Sequence, residues 1–136
     1  MVICVCGLIG AGKTTYALEH KDNEDVLLDY DYIRAALKIG NSSVVANTIN
    51  CMIESALINN CGNAWLVRTV PKRNEMPYID KYILINTEEK QCKDNLIKDQ
   101  RLPKNINEVQ QKIKKRLNSL DIEYEIVNLF NTNEKW

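Results

Sequence analysis

Short apolar runs alternate with amphipathic segments along the whole chain. The apolar runs are only a few residues long, and they are continuous where a half-buried strand would alternate apolar with polar residues. This pattern is typical of strands buried on both faces, as in a parallel sheet. The runs predict five strands, over Val2–Cys6, Val26–Leu28, Ala64–Val70, Tyr82–Ile85 and Tyr124–Val127.

Between the strands, apolar residues recur at helical spacing, and polar, glycine or proline residues mark where each helix starts and stops. Helices are predicted over Lys13–His20, Asp29–Leu37, Ser42 or Ser43 to Gly62, Glu88 to the break at Pro103, and Ile106–Leu120. N-cap side chains are expected at the helix starts, namely Asp29 or Asp31, Ser42 or Ser43, and Asn86 or Thr87. Pro71 is expected to close the third strand, and residues Asn128 to Trp136 to form a tail.

The alternation of strands and helices predicts an α/β fold of three layers, in which helices cover both faces of a parallel, five-stranded sheet. At 136 residues the chain has room for one such domain, spanning residues 1–136. Ligands of parallel sheets bind at the carboxyl ends of the strands. The segments that follow the first three strands are therefore expected to share one edge, and they contain Gly7–Thr14, Asp29 with Asp31, and Arg68.

The segment after the first strand fits G-x-x-x-x-G-K-[ST], the pattern of a phosphate-binding loop. Glycines let the backbone bring its N–H groups against phosphate oxygens, and the following helix directs the positive end of its dipole at the same anion. Lys13 adds a mobile charge for the β- and γ-phosphates, and Thr14 offers a hydroxyl to Mg²⁺. The predicted nucleotide-binding residues are Gly7, Leu8, Ile9, Gly10, Ala11, Gly12, Lys13, Thr14 and Thr15.

A second group of charged residues, Asp29-x-Asp31-x-x-Arg34, follows the second strand, where a phosphoryl acceptor would meet the γ-phosphate. A kinase needs a carboxylate there to accept the proton of the acceptor hydroxyl, and a cation to hold an anionic acceptor. Asp31 and Arg34 suit these roles, and Asp29 suits holding a water on Mg²⁺. The alternative is a helix N-cap beside an Asp–Arg pair on the surface.

The composition is that of a globular domain, with 45% apolar and 26% charged residues and zero net charge. No apolar run is long enough to span a membrane, and the first strand follows Met1 at once, so we expect no signal peptide, no membrane contact and a cytoplasmic location. Nine basic and three acidic residues lie between Lys90 and Arg116. This excess indicates either a solvated helix face or a surface that neutralises phosphate. The sequence does not indicate an oligomeric state.

The cysteines and the single histidine suggest no further chemistry. Cys4 and Cys6 alternate along the first strand and are expected to be small core residues. A zinc site would need a second Cys or His pair at ligand spacing, and none follows among Cys51, Cys61 and Cys92. His20, at the end of the first predicted helix, is interpreted as a surface residue.

The motif G-L-I-G-A-G-K-T-T followed by L-D-Y-D-Y-I-R resembles the small P-loop kinases. It is most similar to the kinase domains of phage polynucleotide 5′-kinases and to related phage nucleoside or nucleotide kinases, and shikimate-kinase-type enzymes have a similar D-x-D. The stretch A-W-L-V-R-T-V-P is similar to one in small phage ATP-binding proteins. The resemblance implies a P-loop NTPase fold, ATP as phosphoryl donor, Asp31 as general base, Arg34 as acceptor ligand and Arg101 as lid arginine.

The chain departs from that family at two places. The helix after the fourth strand contains Arg101 as its only arginine, with Lys93 and Lys98 as weaker candidates for the lid. The third predicted strand has Arg68 near its end, where a Walker B motif has an acidic residue. Both departures concern catalysis rather than nucleotide binding.

Two functions are compatible with these residues. The first is a kinase that transfers the γ-phosphoryl of ATP-Mg²⁺ to a hydroxyl or phosphate of a nucleoside, a nucleotide or a nucleic-acid 5′ end. The second is a P-loop ATPase or nucleotide-dependent binding module that acts on a protein or nucleic-acid partner. The D-x-D-x-x-R segment favours the first, and the weakened lid and missing Walker B acid favour the second.

Overall fold

The structure is a computed structural model that describes residues 1–59 and 62–130. The last six residues of the predicted tail, 131–136, and the end of the third predicted helix before Gly62 lie outside the described residues. The elements are β1 (Val2–Gly7), α1 (Lys13–His20), β2 (Val26–Asp29), α2 (Tyr30–Leu37), α3 (Ser42–Ile58), β3 (Ala64–Val67), β4 (Lys81–Ile85), α4 (Glu89–Lys98), α5 (Ile106–Ser119) and β5 (Glu125–Val127).

The strands form one sheet in the order β2-β3-β1-β4-β5, and every neighbouring pair is parallel. All residues of β1 and β3 are buried, because these strands have neighbours on either side in the sheet and helices above and below. The predicted three-layer α/β fold with a five-stranded parallel sheet is therefore confirmed.

The centre of the core is the middle of the sheet. Cys4 and Cys6 on β1 are fully buried, as expected for small core residues. His20 lies at the end of α1, where its ring stacks on Tyr16 with 3.9 Å between ring centroids. No helix of the described ranges has both the length and the hydropathy that crossing a membrane demands.

The structure corrects several predicted boundaries. The third strand ends at Val67 rather than at Val70, because its neighbour β2 ends at Asp29 and turns into α2, so that pairing on this side stops. Helix α3 ends at Ile58 rather than at Gly62, and α4 ends at Lys98, well before Pro103. A positive φ of 57° at Gln100 turns the chain after α4 before the proline is reached.

The N-caps were predicted correctly for one helix and wrongly for two. Asp29 caps α2, since its Oδ1 accepts hydrogen bonds from the N–H groups of Asp31 and Tyr32. Helix α3 is capped by Asn41 and not by Ser42 or Ser43, because the Asn41 amide oxygen already reaches the first N–H groups. Helix α4 follows Glu88 without a side-chain cap, so Asn86 and Thr87 do not cap it.

The topology brings the segments after β1, β2 and β3 to one edge of the sheet. Strand β1 lies at the point where the strand order reverses, with β3 on one side and β4 on the other. A crevice opens at this point in doubly wound sheets, outside the carboxyl ends of the strands.

Candidate functional site

A cleft with a volume of about 680 Å³ lies at this edge. Its lining includes the loop after β1, the start of α2 and the segment after β3. The ends of α4 and α5 and the residues after β5 complete the rim. The walls are built from residues 9–15, 29–31, 67–70 and 72, with Asn95, Lys98, Asp99, Arg101, Arg116, Leu129 and Phe130 at the rim.

The loop after β1 needs glycine at two positions. Gly10 and Gly12 have φ angles of 82° and 96°, in the region that side chains rarely adopt. A Cβ on Gly10 would lie 2.7 Å from Leu96 Cγ, so this residue has no room for a side chain either. Helix α1 starts directly after Gly12, and the first N–H groups of a helix have no partner within it. The loop and helix start therefore present N–H donors and a positive dipole end to an anion.

Three polar side chains hold this loop in place, and the sequence analysis assigned this role to none of them. Asn95 Nδ2 donates to the Gly10 carbonyl at 2.9 Å, and Thr87 Oγ1 donates to the Ala11 carbonyl at 2.8 Å. Gln110 makes two hydrogen bonds to Ile9, accepting from its N–H at 3.1 Å and donating to its carbonyl at 2.8 Å.

These contacts also orient the loop's N–H groups. A trans peptide is planar, so a carbonyl and the following N–H point in opposite directions. Because Gln110 and Thr87 hold the carbonyls of Ile9 and Ala11, the N–H groups of Gly10 and Gly12 face away from those side chains. The sequence contained a signal for Gln110, because this polar residue falls at helical spacing with the apolar Ile113 and Leu117 of α5. In the structure it is 1% exposed.

Lys13 lies in the first turn of α1 and turns back onto its own loop. Its Nζ donates to the carbonyls of Leu8 at 2.6 Å and Gly7 at 3.2 Å. Burial of the ammonium lowers the pKa of Lys13 to about 8. The carboxylates of Asp31 and Asp29 act in the opposite direction, and they do not outweigh the burial.

Thr14 and Asp29, the two predicted metal ligands, are in direct contact. Thr14 Oγ1 donates to Asp29 Oδ2 at 2.5 Å, and Asp29 is 5% exposed. Mg²⁺ prefers oxygen ligands and is usually held by one or two protein groups, waters and substrate phosphates. A hydroxyl and a carboxylate beside a phosphate-binding loop fit this donor set. Residues 1–59 and 62–130 contain no group of three or more His, Cys, Asp or Glu side chains that could hold a metal by themselves.

Asp31 and Arg34 lie on the same helix but differ in their position relative to the cleft. Asp31 is exposed and lines the cleft, where the sequence predicted an acceptor-side carboxylate. Arg34 is also exposed, but it lies one turn further along α2, about 4.5 Å along the helix axis. It does not line the cleft.

Arg68, noted in the sequence as a departure, is a buried residue of the cleft wall. It is 7% exposed, and its Nε lies 3.0 Å from Oε1 of Glu75, which is 1% exposed. The guanidinium carbon lies 4.2 Å from the ring centroid of Tyr30, and Lys72 Nζ lies 5.9 Å from the same centroid. Burial raises the pKa of Glu75 above its ordinary value, although Arg68 opposes the shift.

The basic stretch from Lys90 to Arg116 was interpreted as either a solvated helix face or a phosphate-neutralising surface, and each interpretation fits some of its residues. Lys98, Arg101 and Arg116 line the cleft, and Arg116 was not singled out from the sequence. Arg101 Nη2 lies 3.2 Å from Asp99 Oδ2 in an exposed pair. Lys93, a weaker lid candidate, does not line the cleft. The stretch therefore contributes both cleft cations and solvated residues.

Leu129 and Phe130, which the sequence analysis placed in a tail, form an apolar part of the rim. A Cβ on Gly12 would lie 3.0 Å from Leu129 Cδ1 and 3.9 Å from Phe130 Cε2. An exposed ring beside a phosphate-binding loop offers a surface on which a nucleotide base can stack.

Comparison with known proteins gives structural likeness without sequence likeness. No protein-family model and no curated protein sequence matches this chain. A chain of the Pnkp1/Rnl/Hen1 RNA repair complex superposes with a TM-score of 0.64 at 19% identity, over 88% of this chain and 46% of that one. A second structure of the Pnkp1/Rnl/Hen1 complex gives a TM-score of 0.51 at 18% identity, over 67% of this chain and 37% of that one.

The third similar structure is of comparable length. TT1252 from Thermus thermophilus superposes with a TM-score of 0.57 at 12% identity, over 97% of this chain and 90% of that chain. The present chain spans less than half the length of the two Pnkp1/Rnl/Hen1 chains. At these identities the comparisons establish the fold alone, an α/β domain with a parallel sheet, as predicted from the sequence.

Proposed function

We propose that the protein is an ATP-dependent phosphotransferase, which moves the γ-phosphoryl of ATP to a hydroxyl or phosphate of a nucleoside, a nucleotide or a nucleic-acid 5′ end. The observation that carries this proposal is that Lys13, Thr14 and Asp31 line the same cleft. A phosphoryl donor and acceptor can then meet in this cleft. The likeness to a chain of an RNA repair complex supports the nucleic-acid end as one of these acceptors.

On the donor side, the Gly7–Thr14 loop holds the triphosphate through its N–H groups and the start of α1. Lys13 leaves the carbonyls of Gly7 and Leu8 and binds the β- and γ-phosphates. Thr14 and Asp29 are the residues that would hold Mg²⁺, which neutralises phosphate charge when bound. Leu129 and Phe130 are placed to contact the base.

On the acceptor side, Asp31 accepts the proton of the acceptor hydroxyl as its oxygen attacks the γ-phosphorus and the bond to the β-phosphate oxygen breaks. Arg101, on the rim, neutralises charge on the transferred group. Arg34 is proposed to bind the acceptor from outside the cleft, which its long side chain and exposed position permit.

A second candidate is an ATPase or nucleotide-dependent binding module. Arg34 outside the cleft and the pairing of Arg101 with Asp99 favour it, because both weaken the acceptor and lid functions that a kinase needs. In such a module the same loop would bind ATP, and water would take the place of the acceptor.

The test is an acceptor screen with γ-labelled ATP and Mg²⁺ across nucleosides, nucleotides, and DNA or RNA with 5′-hydroxyl ends. Label on an acceptor, abolished by Lys13→Ala, is the result that the kinase requires. Label only in free inorganic phosphate, also abolished by Lys13→Ala, would replace the kinase with the ATPase. Lys21→Ala is the matched control, because Lys21 is a half-buried lysine directly after α1 that does not line the cleft.

A further inference from the structure

We infer that Arg68, assisted by Lys72, binds a phosphate group that the acceptor itself carries. The acceptor is then a phosphate-bearing nucleotide, free or at the end of a nucleic acid, rather than an unphosphorylated nucleoside. This inference rests on the proposed function, since it assigns the acceptor side of the same cleft.

The first argument is how Arg68 is held. Its Nε lies 3.0 Å from Glu75 Oε1 in an ion pair that lacks hydrogen-bond geometry, and its guanidinium carbon lies 4.2 Å from the Tyr30 ring centroid. These two contacts restrict the positions open to the buried group. The two terminal nitrogens form no hydrogen bond with any residue of the described ranges. A planar fork with free N–H donors at a cleft is suited to a phosphate, which it can bind through two parallel hydrogen bonds.

The buried ion pair between Arg68 and Glu75 has an energetic cost. A buried ion pair contributes little net stability, because removing both charges from water offsets their attraction. An apolar pair of similar volume would serve a purely structural role at least as well. Arg68 also lies in the wall of a cleft rather than between core elements, which points to a ligand as its partner.

A further argument is the local charge. Two cations, Arg68 and Lys72, flank the ring of Tyr30, and one carboxylate, Glu75, opposes them. The Glu75 carboxylate also accepts a hydrogen bond from the Lys72 N–H at 3.2 Å, which ties the two cations to one short segment. The wall also contains the carboxylates of Asp29 and Asp31, so it has no positive surplus as a whole. Its two cations lie together at the Tyr30 ring, and an acceptor phosphate would contact both of them there.

The last argument is position. Tyr30 lies between Asp29 and Asp31 in the chain, so the cations on its ring adjoin the proposed base. The triphosphate has its own cation, Lys13, in the first turn of α1. A phosphate at Arg68 is therefore assigned to the acceptor, and it would set the distance between the acceptor hydroxyl and Asp31.

The chain offers a matched pair of variants for the test. Lys72→Gln and Arg73→Gln each remove one positive charge from neighbouring residues, but only Lys72 lines the cleft. The acceptors compared are a nucleoside, its 3′- and 5′-monophosphates and a 5′-hydroxyl oligonucleotide. Wild-type kcat/KM should be at least ~10-fold higher for a phosphate-bearing acceptor, and Lys72→Gln should reduce it by ~10-fold for that acceptor alone. Arg73→Gln should change neither value.

Arg68→Lys keeps the charge and removes the fork, and it should lower the same kcat/KM by ~10- to 100-fold with ATP affinity unchanged. If this buried substitution prevents folding, as a thermal melt would show, Lys72→Gln decides alone. Whichever monophosphate or oligonucleotide benefits most identifies the source of the phosphate. Equal kcat/KM for the nucleoside and every phosphate-bearing acceptor would overturn the inference and leave the kinase proposal standing.

A binding measurement separates the two proposals. Calorimetric titration of the two monophosphates into protein saturated with a non-hydrolysable ATP analogue needs no phosphoryl transfer. Weaker binding to Lys72→Gln than to wild type or Arg73→Gln supports the phosphate site even if no acceptor becomes labelled, in which case only the kinase proposal fails. Equal binding to all three proteins would refute the site.

Discussion

Lys13 shows how burial and hydrogen bonding together prepare one residue for an anion. Its ammonium is held by the carbonyls of Leu8 and Gly7, and burial lowers its pKa to about 8. A triphosphate would restore the favourable interaction that the ammonium loses on leaving water. If Lys13 binds the triphosphate as proposed, its protonation is coupled to that binding.

The pKa of Lys13 predicts that ATP binding depends on pH. Bound phosphate raises this pKa again, so binding takes up a proton wherever the free protein has lost it, above about pH 8. ATP affinity should fall about fivefold from pH 8 to pH 9. Calorimetry at pH 8.5 in two buffers of different ionisation enthalpy measures the uptake. Lys13→Ala should bind weakly and without proton uptake, and equal heats in both buffers for wild type would contradict the prediction.

Asp31 allows a clean test of the base, because the structure assigns the helix cap to Asp29 instead. Asp31→Asn should therefore leave the thermal midpoint and the ATP affinity unchanged, while phosphoryl transfer falls by ~10²- to 10⁴-fold. Single-turnover assays and calorimetry measure the two quantities. Asp121→Asn, an exposed exchange away from the cleft, is the control. Wild-type transfer by Asp31→Asn would leave the kinase without its base.

At the scale of elements, the helices α4 and α5 act as supports for a loop that belongs to neither. Asn95 from α4 and Gln110 from α5 hold successive carbonyls of that loop. Glycines make the loop conformation accessible, but they also make alternatives accessible. The helices remove this freedom, so their docking on the sheet determines the conformation of the proposed nucleotide-binding loop.

The Gln110 contact can be removed with little change of volume by Gln110→Leu. The N–H and carbonyl of Ile9 would lose their partner, which costs about 2 kcal/mol and lowers the thermal midpoint by roughly 6 °C. ATP affinity should fall as well, because the loop gains freedom. The neighbouring Gln111→Leu is the control, since Gln111 is exposed and donates to Glu89 rather than to the loop. Thermal melts with and without ATP measure both effects, and identical behaviour of the two variants would contradict this role.

The variant Arg101→Ala tests whether the segment after α4 acts as a lid over the transferred phosphoryl group. Its pair with Asp99 is more than half exposed on both sides, so Arg101→Ala should change stability by less than ~1 kcal/mol. If Arg101 neutralises charge on the transferred group, the variant should lower kcat more than it raises KM for ATP. Lys104→Ala, exposed and outside the cleft, is the control. Unchanged kcat would return this segment to the solvated-face interpretation.

At the scale of the whole molecule, periodicity and the loop motif were enough to predict the architecture. Continuous apolar runs separated by helical segments permit few arrangements other than a parallel sheet with helices on both faces. The same reasoning placed the Gly7–Thr14 loop, Asp29 with Asp31, and Arg68 at one edge, and all of them line the cleft or its loop.

The remaining site residues depend on contacts between distant parts of the chain, which a local pattern does not contain. Thr87 was interpreted as a helix cap from its position, but its hydroxyl bonds Ala11 across the sheet edge. Glu75 lies between the third and fourth predicted strands in a stretch of polar residues, and in the structure it is buried against Arg68. Leu129 and Phe130 look like a tail until β5 directs them toward Gly12. In each case tertiary packing, not local preference, determines the partner.

The support that Gln110 gives to Ile9 has a consequence for the order of synthesis. The phosphate loop is made about one hundred residues before the side chain that bonds it, and Thr87 and Asn95 also follow it. A nascent chain therefore exposes an incomplete loop until α5 has left the ribosome and docked. Nucleotide capture by this domain should begin only then. Ribosome-bound chains arrested before and after residue 119 has emerged would reveal it, as an abrupt gain of ATP binding in the longer chain.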